Sequence, residues 1–241
     1  MKAWLCLALV FCGACAQAQA APVGRLYNPG AFDSLSFTGS ALVRLMQGER
    51  DEVFVEGDEA VQREVYLMLR GNQLTVRTTG SWMFWRAAER LRLQVTARNL
   101  RQISISGAAQ LHAPEPFHVE ELEIGISGSG LVRFDQLQAR VLRFDVTGSG
   151  DAQLSGSTDE LDIRASGRSD VQAEQLLARQ AKVRYSGVGK ARLWVQDKLN
   201  VRINGIASVD YWGEPQLERK VLGLGGVKSK GAKVSKAPGA E

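Results

Sequence analysis

A serine–glycine pair, or a close variant of it, recurs through the second half of the chain, and this repeat constrains the fold more than any other feature. The spacings between successive glycines are 21, 20, 19, 20 and 18 residues. The six pairs are Ser106-Gly107, Ser127-Gly128, Thr147-Gly148, Ser166-Gly167, Ser186-Gly187 and Asn204-Gly205. A nearly fixed period of this length predicts a repeat architecture in which each unit stacks on the next.

The residues on both sides of each glycine alternate between apolar and polar, which is typical of strands with one buried face. The central apolar residues before the glycines are Ile124, Phe144, Ile163, Val183 and Val201. Two positions after each glycine the residue is small, which predicts a crowded corner or one that needs positive φ. Those small residues are Ala109, Gly130, Gly150, Ser169, Gly189 and Ala207.

This pattern predicts an all-β fold, a parallel β-solenoid with stacked coils of about 20 residues. An antiparallel sandwich also has short, regularly spaced strands, but it has no reason to repeat one corner residue at one offset. In the solenoid, the five central apolar residues form one interior ladder. The polar residues that precede four of them, Glu123, Arg143, Asp162 and Lys182, form an exterior ladder with alternating charges.

The N-terminus has the features of a secretory signal peptide. Lys2 precedes a short apolar run, and two overlapping A-x-A motifs predict cleavage after Ala18 or Ala20, so residues 1–18 are assigned to the signal. Gly13-Ala14-Cys15 also resembles the end of a lipobox, with Cys12 where leucine is usual, and this alternative would give a lipoprotein attached through Cys15. The expected location is therefore the periplasm or the cell surface.

The net charge of +4 is unevenly distributed. Lys2 contributes one positive charge and residues 228–241 contribute three, so residues 19–227 carry no net charge. We therefore predict one solenoid domain over residues 19–227, followed by a basic, disordered tail over residues 228–241. The neutral body argues against nucleic acid as a partner, and membrane contact is expected only if Cys15 is lipidated.

The N-terminal part of the domain, residues 26–105, is strand-like but less regular, with a hairpin turn predicted at Gly71-Asn72. The chain resembles a known family, the putative autotransporter-adhesin head domain, also called the head GIN domain. The motifs that carry the resemblance are Phe32, Gln47-Gly48, Val53-x-Val55-x-Gly57, Gly71-x-x-Leu74, the Ser-Gly-Ser-Gly run at 127–130, Thr147 to Gly150, and Val209-Asp210-Tyr211-Trp212-Gly213-Glu214-Pro215. The resemblance covers about residues 30–227 and implies an exported solenoid-like domain with an adhesive role. It implies no catalytic or binding residues.

The sequence favours a non-enzymatic module with no cofactor and no metal. The two histidines, His112 and His118, are six residues apart and lack the spacing of a helical zinc pair. The expected function is adhesion or scaffolding through an unknown protein or glycan of the envelope. Two alternatives stay open: an enzyme of the β-helix type that acts on envelope polysaccharide, and a periplasmic lipoprotein of an assembly or stress system.

Two groups of residues are candidates for a contact surface. The first is the aromatic segment that contains Trp82, Phe84, Trp85 and Arg86, which strand alternation cannot bury on one face. Such residues either stack on sugars, lipids or proteins, or cap an open end of the solenoid. The second group is a stripe of like charges at equivalent positions of successive coils, Arg164, Arg184 and Arg202.

Overall fold

The computed structural model of the chain describes residues 23–78 and 91–233. Within these ranges one short helix, α1 (Glu59–Arg63), accompanies sixteen strands of a single sheet. The strands are β1 (Gly24–Tyr27), β2 (Ser34–Thr38), β3 (Ser40–Gln47), β4 (Glu52–Glu56), β5 (Val65–Arg70), β6 (Gln73–Thr78), β7 (Arg92–Ala97), β8 (Gln102–Ile105), β9 (Ala108–Ile126), β10 (Ser129–Val146), β11 (Ser149–Ala165), β12 (Arg168–Tyr185), β13 (Val188–Ile203), β14 (Ile206–Trp212), β15 (Gln216–Val221) and β16 (Leu224–Ser229).

The predicted parallel solenoid is confirmed. Strands β9 to β13 are each a nearly complete coil that pairs in parallel with the coils before and after it. In β10 the pairing runs through residues 129–134, 136–139 and 141–146, with register shifts where the chain bends. We call these three paired segments, and their equivalents in the other coils, the first, second and third faces.

The N-terminal part adds further layers to the same stack. Strands β2 and β3 form the third and first faces of a coil that lies beside β8 and β9. Beyond this coil, β6 and β7 continue the two faces, and β5 and β4 then pair with them in antiparallel fashion. The predicted hairpin joins β5 to β6, with Gly71 at φ 57° in the turn.

The interior ladder is the one that the sequence predicts. Phe144 is in register with Ile124 on one side and Ile163 on the other, and Val183 and Val201 continue the row. None of the five side chains has any exposed surface. The exterior ladder through Glu123, Arg143, Asp162 and Lys182 has the predicted register too. The ion pair of Arg143 is nevertheless diagonal. This side chain contacts Glu121 at 3.4 Å, whereas its register partner is Glu123.

The corner glycines are required by steric crowding. Their φ angles are not positive, except at Gly39, which joins β2 to β3 in the coil that we call the first coil. A Cβ atom at Gly167 would lie 1.9 Å from the carbonyl oxygen of Gly148, the equivalent glycine one coil earlier, and the same clash recurs at Gly187 and Gly205. The oxygen of Gly148 accepts a hydrogen bond from the Arg168 amide at 2.9 Å. The corner glycines therefore form a column. The carbonyl oxygen of each one lies where a side chain on the next glycine would otherwise be.

The small residue two positions after the corner makes room for interior side chains. A Cβ atom at Gly189 would lie 2.8 Å from the ring of Tyr185, which is buried. The Tyr185 hydroxyl donates to the carbonyl oxygen of Lys190 at 3.0 Å and accepts from the Ser169 hydroxyl at 3.1 Å. Burial raises the pKa of Tyr185 to about 12.

The C-terminal boundary differs from the prediction. Strand β16 continues through Lys228 and Ser229, and the Lys230 amide donates to the carbonyl oxygen of Tyr211 at 2.8 Å. Lys233 also packs on the outer surface. Residues 228–233 are therefore ordered, because main-chain pairing with β14 holds a segment that has little apolar content of its own. Residues 234–241 and the predicted signal at 1–18 lie outside the described residues.

Candidate contact surfaces

The predicted arginine stripe is a continuous column, but it is only partly cationic. Arg164, Arg184 and Arg202 occupy successive rungs of the third face, and Lys220 of β15 extends the column. The carboxylate of Asp162 accepts from Arg164 at 2.8 Å and from Arg184 at 3.1 Å. The like charges that the sequence places in contact are thus compensated from the neighbouring column. Arg202 has no carboxylate within ion-pair distance among the described residues.

The aromatic candidates Trp82, Phe84, Trp85 and Arg86 lie outside the described residues, so their role stays a prediction. The strands that flank this segment end at the corner of the first coil. Thr78 lies against Gly39, and the Leu91 carbonyl oxygen accepts from the Leu42 amide at 3.1 Å.

A groove of about 760 Å³ runs along the second face. The exposed residues His118, Gln138 and Ser157 and the half-buried Leu177 stand in register on consecutive coils, and the exposed Gln196 lies on the next one. Five rungs span about 19 Å at the usual strand spacing. The complete lining is Asn99, His118, Val119, Glu120, Gln138, Ala139, Arg140, Ser157, Thr158, Asp159, Leu177, Arg179 and Gln196.

The border of the groove is a ladder of alternating charges at the bend between the second and third faces. Its members are Glu120, Arg140, Asp159, Arg179 and Asp197. Arg140 contacts Glu120 at 3.3 Å, and Arg179 contacts Asp159 at 3.8 Å and Asp197 at 3.3 Å. Each cation thus has a carboxylate on an adjacent rung, so the groove is polar and nearly neutral.

The charge ladder is absent from the sequence-based candidates, although the sequence contains a signal for it. Each of its five residues stands eight positions before a corner glycine, as does Asn99 at the head of the groove. The outward position eight residues before each corner glycine therefore identifies all five residues of the charge ladder. The prediction instead followed the outward positions next to the central apolar residue, which lie on the third face.

A second feature missed by the sequence reasoning is a pair of tryptophans on neighbouring coils. Trp194 and Trp212 are in register on adjacent coils and are half-buried on the outer surface. The Lys233 ammonium lies 5.0 Å from the centre of the Trp194 ring and 5.8 Å from that of Trp212. It also donates to the carbonyl oxygen of Glu174. The C-terminal segment therefore covers part of the aromatic surface with a cation.

Many charged residues of the described ranges form ion pairs along the outer surface, and Asp135 is held by two neighbours. Burial alone would raise the pKa of Asp135, but hydrogen bonds from Arg133 and His112 outweigh it and lower this pKa. His112 Nε2 lies 2.8 Å from the Asp135 carboxylate. Among residues 23–78 and 91–233, no three His, Cys, Asp or Glu side chains cluster as metal ligands would. No helix in those ranges is long and apolar enough to cross a membrane.

Solved structures share this architecture. A putative adhesin from Bacteroides fragilis NCTC 9343 is 20% identical, with a TM-score of 0.81 over 87% of this chain and 97% of that one. A putative adhesin from Parabacteroides distasonis ATCC 8503 is 17% identical, with a TM-score of 0.67 over 88% of this chain and 98% of that one. A putative lipid binding protein from the same organism is also 17% identical, with a TM-score of 0.66 over 88% and 97%. At these identities the likeness concerns the fold.

No protein of curated function matches the chain. The family resemblance seen in the motifs is confirmed by a match to the family model over residues 31–215. This range includes the first coil, the corner glycine column up to Gly205 and the complete charge ladder. The chain therefore belongs to the family described as putative auto-transporter adhesin, head GIN domain.

Proposed function

We propose that the chain is an exported, non-enzymatic adhesion module of the bacterial envelope that binds an extended glycan along the second-face groove. The observation that carries the proposal is the groove itself, a polar and charge-balanced channel that crosses five coils. The names of the family and of the solved adhesins support a surface role.

The chemistry of the groove suits a saccharide. Gln138, Ser157 and Gln196 offer amide and hydroxyl groups that both donate and accept hydrogen bonds, as sugar hydroxyls do. Leu177 and Val119 are half-buried and supply an apolar floor. A nucleic acid would instead need basic groups without carboxylate partners, and both groove arginines are paired.

The repeating rungs explain why a long polymer is the expected ligand. Successive coils present side chains at intervals of about 4.8 Å, so successive sugar units of a polymer contact successive coils. Contacts that are weak singly then act together along the polymer.

A binding experiment with matched variants tests the proposal. Purified envelope polysaccharide is titrated against the exported protein, the Gln138→Ala with Arg179→Ala variant, and the Gln153→Ala control on the first face. Loss of two polar contacts lowers the affinity by about tenfold or more, while the control binds like the wild type. Unchanged affinity of the groove variant contradicts the assignment of the groove.

The non-enzymatic part of the proposal has its own readout. After prolonged incubation of the polysaccharide with the protein, we expect no new reducing ends and no unsaturated sugar products. Their appearance at a rate proportional to protein concentration would show an enzyme of the β-helix type.

A further inference from the structure

The corner of the last coils carries an exposed apolar column that the core does not use. Val188, Ile206 and Leu224 each follow a corner glycine and are in register on adjacent coils. Their exposed fractions are 47%, 54% and 70%, and that of Leu222, beside the last corner, is 69%. These four aliphatic residues therefore form one ridge in solvent.

In the preceding coils, the residue after the corner glycine is small, polar or charged. The equivalent residues of the preceding coils are Ala108, Ser129, Ser149 and Arg168. The ridge is thus confined to the three final coils. Since exposed aliphatic side chains add nothing to the core, a contiguous group of them indicates an interaction surface.

Two exposed basic residues flank the ridge. Arg202 and Lys220 are exposed on adjacent rungs of the third face, four residues before Ile206 and Leu224. Neither forms an ion pair among the described residues. This is the end of the arginine column that Asp162 does not neutralise.

The net charge also differs between the two ends of the solenoid, and the C-terminal end is the positive one. Residues 188–233 contain nine Lys and Arg residues against four Asp and Glu residues, a net charge of +5. The other described residues, 23–78 and 91–187, contain 17 against 20, a net charge of −3. The ridge lies at the positive end.

We propose that this C-terminal corner, formed by Val188, Ile206, Leu222 and Leu224 with Arg202 and Lys220, docks on an anionic lipid surface. The aliphatic ridge inserts at the level of the headgroups, and the two cations contact lipid phosphates. A convex ridge flanked by positive charge has the pattern of interfacial membrane contacts. This contact needs no lipid on Cys15 and goes beyond the glycan-binding groove, which lies on another face.

Self-association explains the surface less well. Two copies that met through this corner would bring Arg202 and Lys220 of each against those of the other, and like charges in contact are unfavourable. Stacking of a second copy on the end of the solenoid is hindered by Arg219. It is the register partner of Val201 in the terminal coil and is exposed there, and a charge at the edge of a sheet disfavours edge pairing.

The test is co-flotation of the exported protein with vesicles. One set contains phosphatidylcholine alone, and the other contains equal parts of phosphatidylcholine and phosphatidylglycerol. The wild type binds the anionic vesicles and not the neutral ones. The Arg202→Gln with Lys220→Gln variant binds about 30-fold more weakly, since each basic residue at a membrane surface contributes about a factor of five.

Matched variants separate the ridge from general apolar exposure. Ile206→Ser with Leu224→Ser abolishes flotation, whereas Tyr66→Ser with Met68→Ser, which alters exposed apolar residues at the other end, leaves it unchanged. Equal melting temperatures show that the variants are folded, and intact mass shows that all share one N-terminus. The proposal is wrong if the wild type does not bind anionic vesicles, or if the Ile206→Ser with Leu224→Ser variant floats as well as the Tyr66→Ser with Met68→Ser variant. It is also wrong if Ile206→Ser with Leu224→Ser abolishes only a dimer seen by light scattering.

Discussion

Replacing Gly167 by alanine tests the physical reason for the repeat. The new Cβ atom would lie 1.9 Å from the Gly148 carbonyl oxygen, so the two coils must separate at the corner. That oxygen is the acceptor for the Arg168 amide, and the hydrogen bond cannot persist through such a shift. An unsatisfied backbone pair costs about 1–3 kcal/mol, and the forced displacement of packed groups costs about 1–3 kcal/mol more. We therefore expect Gly167→Ala to lower the free energy of unfolding by about 2–6 kcal/mol.

The assay is urea-induced unfolding followed by circular dichroism, with Gly125→Ala as the control. Gly125 lies in the same parallel stack, and a Cβ atom there would meet nothing closer than the Ile103 carbonyl oxygen at 4.0 Å. Alanine at that position should leave stability unchanged or raise it by about 0.5–1 kcal/mol through reduced freedom of the unfolded chain. If the two variants unfold within about 0.5 kcal/mol of each other, a difference no larger than ordinary surface substitutions give, the steric account of the glycine column is refuted.

Three further outcomes follow from the packing. Phe144→Ala should lower the free energy of unfolding by about 3–5 kcal/mol as a core truncation, whereas Arg143→Ala, which removes an exposed ion pair, should cost under about 1 kcal/mol; similar losses in urea unfolding would contradict this contrast. Because the pKa of Tyr185 is about 12 in the folded protein and 10 in the unfolded chain, its stabilising contribution is complete below pH 10 and is lost as pH rises towards 12. Tyr185→Phe should remove that decline, and an identical pH profile would speak against it. Lys233→Ala should expose Trp194 and Trp212, so acrylamide quenching of tryptophan fluorescence should increase and the free energy of unfolding should fall by about 1 kcal/mol. Lys228→Ala should change neither the quenching nor the stability.

The repeat allowed the architecture to be predicted because every level of the sequence agrees with it. The central residues from Ile124 to Val201 keep register with the corner glycines, so one offset determines which side chains face the interior. The parallel pairing follows from that register. The sequence predicted a crowded corner from the small residues after the glycines, but crowding of the glycines by the Gly148 carbonyl oxygen is a contact between coils that no single strand reveals.

The candidate surface was harder to predict because it depends on neighbours across coils. Arg164 and Arg184 are uncompensated when their own column is considered alone, but Asp162 lies one column away and binds both. Likewise, the order of residues 228–233 depends on pairing with β14 and on the ring of Trp194, which is distant in sequence. A composition argument treats that segment as a solvated tail.

Hydrogen exchange of the exported protein with and without envelope polysaccharide tests the central claim most directly. Binding along the groove predicts slower amide exchange in the second-face segments, residues 116–119, 136–139, 155–158 and 175–178, with the first face unchanged. Protection confined to the first face, or no protection at saturating polysaccharide, would contradict the proposal that the groove is the glycan-binding surface.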